Sequence, residues 1–240
     1  MTPLGVLAFG DSITNGGGEL QWGVALQSWA LWVARGLGLP FTTYAVDGAR
    51  ARDVVASQIP AFRARTARPD ARYDLGCLYI GVNDVRAADW DAEAFAADHA
   101  AALAFLAARC ERVLAVTIPR DLGRPRAGLA VEQANAVILR SPLVLDLRGF
   151  GARNLVMADH VHPTAFGQVW IAERALDVLA GDGLDVRVRP STLIRPARGT
   201  RRQRAQGDWT YAYRTLKLRA GALAGQARRA ARAGAARSGS

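Results

Sequence analysis

Cysteine is scarce. Cys77 and Cys110 are the only two in 240 residues, too few for a disulfide scaffold, so a hydrophobic core must carry the fold. No stretch approaches 18 uninterrupted apolar residues, which argues against a transmembrane helix. Nor does the N-terminus read as a secretory leader: Met1-Thr2-Pro3 has no basic side chain, and the apolar run from Leu4 to Phe9 is too short for the core of one. The expectation is a cytoplasmic chain, with leaderless export left open. The 24 Gly and 10 Pro follow no period, which excludes a collagen-like or low-complexity protein. Histidine is limited to His99, His160 and His162, so the search for a general base or a metal ligand is short.

What is present suits one globular domain, or one domain with an appendage: 50% of residues are apolar and 22% charged. The net charge of +10 is unevenly placed. Residues 186–240 hold 13 Arg, one Lys and the single acid Asp208, whereas residues 1–185 hold 17 Arg against 20 Asp and Glu. The basic character therefore belongs to the tail. The chain is expected to divide into a domain at 1–185 and an Arg-rich tail at 186–240, with a linker at 186–207 and a candidate amphipathic helix at 209–233.

Within the domain, short apolar runs alternate with helical periodicity. Strands are expected at 4–9, 41–46, 75–80, 113–118 and 143–147. Helices are expected at 24–36, 52–64 with Pro60 as a kink or boundary, 91–108, 131–139 and 165–179. This alternation implies βαβ units and a parallel five-stranded sheet with helices on both faces, a three-layer α/β/α architecture. Ligands in such sheets bind beyond the carboxyl ends of the strands. Asp11-Ser12, Gly48 and Asn83-Asp84 each follow a strand, and Asp159 and His162 lie between the fifth strand and the last helix.

A serine hydroxyl needs a base to remove its proton, and the base needs a third group to orient it. In Asp159-His160-Val161-His162-Pro163, the three-residue gap lets the Asp159 carboxylate fold back onto the His162 ring. His160 reads as a loop or packing residue. His99, mid-helix and away from the strand ends, reads as solvated or half-buried. A metal reading of Asp159, His160 and His162 lacks any further ligand cluster to complete it. Ser12 in Gly10-Asp11-Ser12-Ile13-Thr14 is the candidate nucleophile, although a serine after a strand also suits a helix N-cap. The order Ser, Asp, His is that of α/β-hydrolases. Ser12 nevertheless lacks their G-x-S-x-G turn, and the Asp–His separation is too short for that fold. Cys77 and Cys110 read as buried small apolar residues rather than nucleophiles.

Taken together, four segments resemble the SGNH subgroup of the GDSL esterase/lipase family: Gly10-Asp11-Ser12-Ile13-Thr14, Gly48 in Val46-Asp47-Gly48-Ala49, Gly81-Val82-Asn83-Asp84, and Asp159-His160-Val161-His162-Pro163. Each alone is weak, but four in order, each after the right strand, are specific. The resemblance covers about residues 4–180. It implies a flavodoxin-like fold and a serine esterase with Ser12 as nucleophile, His162 as base and Asp159 orienting it. An oxyanion hole would come from the Ser12 N–H, the Gly48 N–H and the Asn83 side chain, with Asp11 in a supporting role and no metal or organic cofactor required. Asp47 departs from the small residue many relatives carry before this glycine, which bears on substrate fit more than on chemistry. The tail is not explained by the family pattern.

The ester itself is less legible. A short-chain ester or an O-acetylated sugar suits a shallow rim site, and a lipid-like ester or a thioester stands beside them. Gly16-Gly17-Gly18 is expected to lend flexibility beside Ser12. Trp22 reads as a pocket wall, a lid hinge or a core residue. Arg120, Arg124 and Arg126 read as solvated loop charges or as contacts for an anionic substrate. Acyl transfer by the same site, and a catalytically inactive tethering module acting through the tail, are the competing functions. In the tail, Trp209, Tyr213, Leu216, Ala220, Leu223, Ala227 and Ala230 recur at helical spacing among arginines. Three readings follow: a solvated tail, contact with an anionic membrane, or packing on the domain or a protein partner; nucleic acid is not expected as a partner.

Overall fold

The computed structural model describes residues 3–18, 24, 26–66, 70–122, 128–152 and 154–195, together with Trp209, Ala212 and Leu216. The chain splits into two compact units, 1–197 and 198–240.

The first unit begins with β1 (Val6–Gly10), whose five residues are all buried, as expected of a continuous apolar run at the centre of a parallel sheet. A single helical turn, α1 (Ser12–Asn15), follows directly. Helix α2 (Trp29–Leu37) is capped by the Ser28 hydroxyl, which accepts the Ala30 N–H, and is stopped by Gly38. Then come β2 (Phe41–Thr43), a helical segment over residues 51–65, β3 (Tyr73–Tyr79), the short α5 (Val82–Arg86) and α6 (Ala92–Ala107). Strand β4 (Cys110–Val116), α7 (Gly128–Ile138), β5 (Leu143–Leu145) and α8 (Ala165–Gly181) complete the alternation. All strand pairings are parallel, in the order β2-β1-β3-β4-β5. The expected three-layer α/β/α fold with a five-stranded parallel sheet is therefore the one observed. Helices α2 and α8 pack on each other, and α6 packs between α7 and the segment at 51–65. The chain order reverses about β1 and β3, so the ends of these two neighbours form the crevice where ligands of such sheets bind.

Several boundaries differ from expectation for physical reasons. Strand β2 stops at Thr43, but its run is continued by single bonds, Tyr44 N–H to Ala8 O and Val46 N–H to Gly10 O. The expected helix at 52–64 is divided into α3 (Ala51–Asp53), a π-helical turn (Val54–Gln58) and α4 (Ile59–Arg65). Pro60 has no N–H and crowds the carbonyl four residues earlier. The preceding Ile59 N–H reaches back five residues to Val54 O, so the widened turn carries the helix past the proline without a break. Strand β4 opens at Cys110, three residues before the expected start, and Cys110 is buried, as is Cys77.

The linker expected from residue 186 is also corrected. Arg187 and Val188 donate their N–H groups to Gly36 O at 2.9 and 3.1 Å. Arg189 pairs with Glu173 and Asp177 at 3.3 and 2.7 Å. The Ser191 N–H reaches Glu173, and a short 3-10 turn, Pro190–Leu193, buries Pro190. This stretch belongs to the domain, and the boundary lies at 197/198. In the second unit Trp209, Ala212 and Leu216 are helical and exposed; the rest of the expected helix at 209–233 lies outside the described residues. No helix among the described residues is long and apolar enough to cross a membrane.

Candidate active site

The end of β1 turns straight into α1. Asp11 is the cap: its Oδ1 accepts the Ile13 N–H at 2.9 Å and its carbonyl accepts the Asn15 N–H. That makes Ser12 the first residue of the turn, where N–H groups have no intrahelical acceptor. Asp11 is almost fully buried, and its Oδ2 has no hydrogen-bond partner among the described residues. Burial pushes its carboxyl up to about 7, against the Ile13 N–H and the His162 ring, which favour the charged form.

His162 arrives from the loop before α8. Its Nε2 lies 2.8 Å from Ser12 Oγ, and its Nδ1 lies 2.6 Å from Asp159 Oδ2. Oδ1 of Asp159 accepts the backbone N–H groups of Val161 and His162 at 2.9 and 3.0 Å. The hydrogen bond that its Nδ1–H donates to Asp159 raises the His162 pKa above its ordinary value, against partial burial. Burial pushes the Asp159 carboxyl up, but the His162 ring and the two backbone N–H groups outweigh it and hold it below the usual carboxylate range. Ser12 and two residues about 150 positions later thus form one hydrogen-bonded line.

The glycine run behaves differently from expectation. A side chain at Gly17 would lie 2.9 Å from Ser12 O and 3.3 Å from the His162 ring. Gly17 therefore permits close packing against the serine and the histidine rather than lending flexibility. Trp22, Arg124 and Arg126 lie outside the described residues. Arg120 pairs with Glu132 at 2.7 Å on the exposed surface. His160 sits in a tight turn with φ +59° and faces Asp121 at 3.6 Å. His99 is corrected: it is 2% exposed, stacked near Phe95, and burial pushes its imidazole down to about 4. No group of three or more His, Cys, Asp or Glu among the described residues is placed to hold a metal ion.

Gly48 lies in the loop after β2 and Asn83 in the first turn of α5, and hydrogen bonds join the two segments. Gly48 adopts φ +77°, the left-handed region that favours glycine, and a side chain there would meet nothing within 4 Å. The Asn83 amide donates to Ala49 O at 3.0 Å. Asp84 accepts the Ala51 N–H on both oxygens, at 3.0 and 3.2 Å, and burial pushes its carboxyl up to about 6. Asn15, one turn after Ser12, donates to Asp47 at 2.9 Å. A cavity of about 260 Å³ opens beside Gly48, lined by Val46, Asp47, Asp53, Ser57 and Gln58 among others.

Two buried glutamines escaped the sequence reading. Gln58 grips Gly10 from both sides, accepting its N–H at 3.1 Å and donating to its carbonyl at 2.7 Å. Gln168, on α8, accepts the Trp29 N–H at 2.8 Å and donates to Ile13 O at 3.0 Å. Together they fix the backbone on either side of Ser12. The available signal was a polar amide set among apolar helical neighbours.

Residues 8–170 match the sequence profile of the GDSL-like lipase/acylhydrolase family. The chain belongs to that family. It is an ester-hydrolysing serine hydrolase of the SGNH type, and the matched segment contains Ser12, Gly48, Asn83, Asp159 and His162. A search of curated protein sequences gave no match. Among solved structures, the fold is similar to Axe2, an acetylxylan esterase from Geobacillus stearothermophilus, with a TM-score of 0.54 and 20% identity over 77% of this chain and 97% of that one. Two solved forms of Axe2, described as catalytic mutants, carry a serine-to-alanine and an aspartate-to-alanine change. It is also similar to a G-D-S-L family member from Veillonella parvula DSM 2008, with a TM-score of 0.57 and 21% identity over 73% of this chain and 98% of that one. A third is LAE5 from the metagenome of Lake Arreo, Spain, with a TM-score of 0.56 and 18% identity over 73% and 94%.

Proposed function

We propose that this hydrolase cleaves short-chain carboxylic esters, with O-acetyl esters of hydroxyl-rich compounds foremost, through an acyl-enzyme on Ser12. The observation that carries the reading is the unbroken line from Ser12 Oγ to His162 Nε2 and from His162 Nδ1 to Asp159. His162 takes the hydroxyl proton as Oγ attacks the ester carbonyl. Asp159 keeps the Nδ1 proton in place, so that Nε2 is the free base, and stabilises the imidazolium that forms. The tetrahedral oxyanion is met by the N–H groups of Ser12 and Gly48 and by the Asn83 amide. Each such donor is worth on the order of 10²–10³ in kcat. His162 then returns the proton to the leaving alcohol, and water, deprotonated in the same way, releases the acid.

The substrate class rests on the cavity beside Gly48. Its volume suits a small group rather than a long fatty acyl chain, and Asp47, Asp53 and Ser57 stand among its lining residues. The likeness to Axe2, an acetylxylan esterase, supports the same choice. For the Arg-rich tail we propose contact with an anionic membrane surface, supported by its charge and by the exposure of Trp209 and Leu216.

The test is hydrolysis of p-nitrophenyl esters of rising chain length and of acetylated xylose, by the wild type and Ser12→Ala. Turnover confined to the acetyl and short acyl range, and lost in Ser12→Ala, is the expected result. Full turnover by Ser12→Ala would remove the nucleophile. A rate that climbs with chain length would remove the substrate class. Added alcohol acceptor with product analysis separates hydrolysis from acyl transfer.

A further inference from the structure

The Gly48 N–H has to sit in one place to serve an oxyanion, yet Gly48 itself is exposed and its Cβ direction opens on empty space. Its position therefore depends on its neighbours. On one side Val46 donates to Gly10 O at 3.2 Å, which ties the loop to the end of the strand that leads into Ser12. Ala49 closes a turn by donating to Val46 O at 3.1 Å. On the other side the loop is held by two consecutive residues of α5. Asn83 donates to Ala49 O, and Asp84 accepts from Ala51 N. The dipeptide thus grips a carbonyl and an N–H two residues apart, much as a neighbouring strand would.

This arrangement gives Asn83 two tasks. Its carboxamide has two N–H groups. One goes to Ala49 O and fixes the plane of the amide; the other is left for the oxyanion. The Ala49 contact alone would let the loop pivot about a single bond. The second contact, Ala51 N–H to both oxygens of Asp84, removes that freedom with a charge-assisted bond, stronger than a neutral one. A half-buried carboxylate with both oxygens on one backbone N–H is a costly way to start a helix as short as α3.

We propose that Asp84 is a positioning residue, which holds the Gly48 N–H and the Asn83 amide in a fixed mutual geometry for the oxyanion. The proposal rests on the reading of Gly48 and Asn83 as oxyanion donors. It separates cleanly from a merely structural cap because the oxyanion exists only in the transition state, so a loosened donor lowers kcat and leaves KM.

Asp84→Ala should lower kcat by about 10- to 100-fold, less than the full loss of a donor, with KM within twofold. Affinity for a boronic acid that forms a tetrahedral adduct on Ser12 should fall in parallel. Asp84→Asn keeps an acceptor for Ala51 and should restore kcat to within a fewfold. Ala51→Pro attacks the same bond from the other side. Proline is accepted at the first helical position, and Arg50 before it is already extended, with ψ 171°, as a residue preceding proline must be. Its kcat should fall like that of Asp84→Ala, with no added loss when the two are combined.

A folded Asp84→Ala that keeps wild-type kcat and boronate affinity while losing only thermal stability would overturn the proposal. So would a rise in KM at constant kcat, an Asp84→Asn as impaired as Asp84→Ala, or failure of both Asp84→Ala and Ala51→Pro to fold, since the contact would then hold the fold rather than the donor. Ser12→Ala is measured alongside. If it retains turnover, the oxyanion-hole reading itself fails, an outcome distinct from any result at Asp84.

Discussion

Asp159 holds His162 at two points at once: Oδ1 accepts the backbone N–H at 3.0 Å while Oδ2 faces the ring Nδ1 at 2.6 Å. The backbone contact places the residue and the ring contact sets its tautomer. These two roles can be separated by substitution. In Asp159→Asn, the side-chain carbonyl can still accept the backbone N–H groups of Val161 and His162, so the loop should persist. The amide cannot both do that and stabilise an imidazolium. The expected outcome is a fall in kcat on the order of 10⁴-fold with little change in KM. A thermal melt close to wild type would show that the loop survived. Undiminished kcat in a folded Asp159→Asn would mean that His162 is oriented by something else.

The acid side of the pH–rate profile should report His162. On the proposed mechanism the ring must be neutral to take the Ser12 proton, and its folded pKa lies above the ordinary value, chiefly because of Asp159. Activity should therefore rise with pH through a midpoint above the ordinary histidine value of about 6.5. Asp11 contributes to that elevation through its charge. Asp11→Asn keeps an acceptor for the Ile13 N–H and removes the charge, so the midpoint of kcat/KM should move to lower pH. A midpoint unmoved in Asp11→Asn would show that the two groups do not sense each other.

The same substitution has a stability consequence of definite sign. The folded Asp11 carboxyl titrates at about 7, above its unfolded value of 3.8. The folded state thus retains a proton that the unfolded state has released, and this residue's contribution becomes unfavourable as pH rises from about 4 to 7. Asp11→Asn should be more stable than wild type at pH 8, by roughly 2–4 kcal/mol, and nearly equal to it at pH 4. Denaturant melts at the two pH values provide the comparison.

His99 gives the opposite dependence. Buried to 2% exposure and pushed down to about 4, it stays neutral in the fold while the unfolded chain takes up a proton near pH 6.5. Between those values the unfolded state binds more protons, so stability should fall as pH drops from about 6.5 to 4, by roughly 3 kcal/mol. Replacing His99 by phenylalanine should flatten the stability profile in that window and leave the activity profile unchanged. A wild-type profile already flat between pH 4 and 6.5 would show the ring to be solvated after all.

Why His99 was unreadable is instructive. Helix α6 is so rich in alanine that no face stands out, and the burial of one histidine cannot be inferred from period alone. The juxtaposition of Ser12, His162 and Asp159 was legible for the opposite reason. A nucleophile, a base and its orienting acid must be particular side chains, and they must follow strand ends in a parallel sheet. The alternation of strands and helices fixed those ends well enough. Gln58 and Gln168 were hidden because a glutamine within a helix looks the same whether it faces water or clamps Gly10 and Ile13. The π turn before Pro60 has no sequence signature beyond the proline. The domain boundary was set too early because residues 186–197 have the composition of a linker. What docks them is the pairing of Arg189 with Glu173 and Asp177 on α8, far from the segment itself.

That corrected boundary decides how the tail should be tested. Cutting at residue 185 would strip Arg187, Val188 and Pro190 from α2 and α8 and expose apolar surface, which would itself bind lipid. A chain ending at residue 197 keeps the first compact unit whole and removes most of the basic charge. If the tail contacts anionic membranes, the full chain should co-sediment with vesicles containing phosphatidylserine, and the 1–197 chain should not. Each arginine near the surface adds about 1 kcal/mol at low salt, so binding should weaken steeply with ionic strength. Neutral phosphatidylcholine vesicles should bind little, because the apolar positions after Trp209 are mostly alanine and carry little hydrophobic free energy on their own. Trp209 should then supply what insertion there is. It is 76% exposed, and its fluorescence should shift to the blue on anionic vesicles in the full chain and in a Leu216→Ala control, but not in Trp209→Ala. Equal sedimentation of the full chain and the 1–197 chain would place any membrane affinity in the domain and leave the arginines of the tail as a solvated appendage.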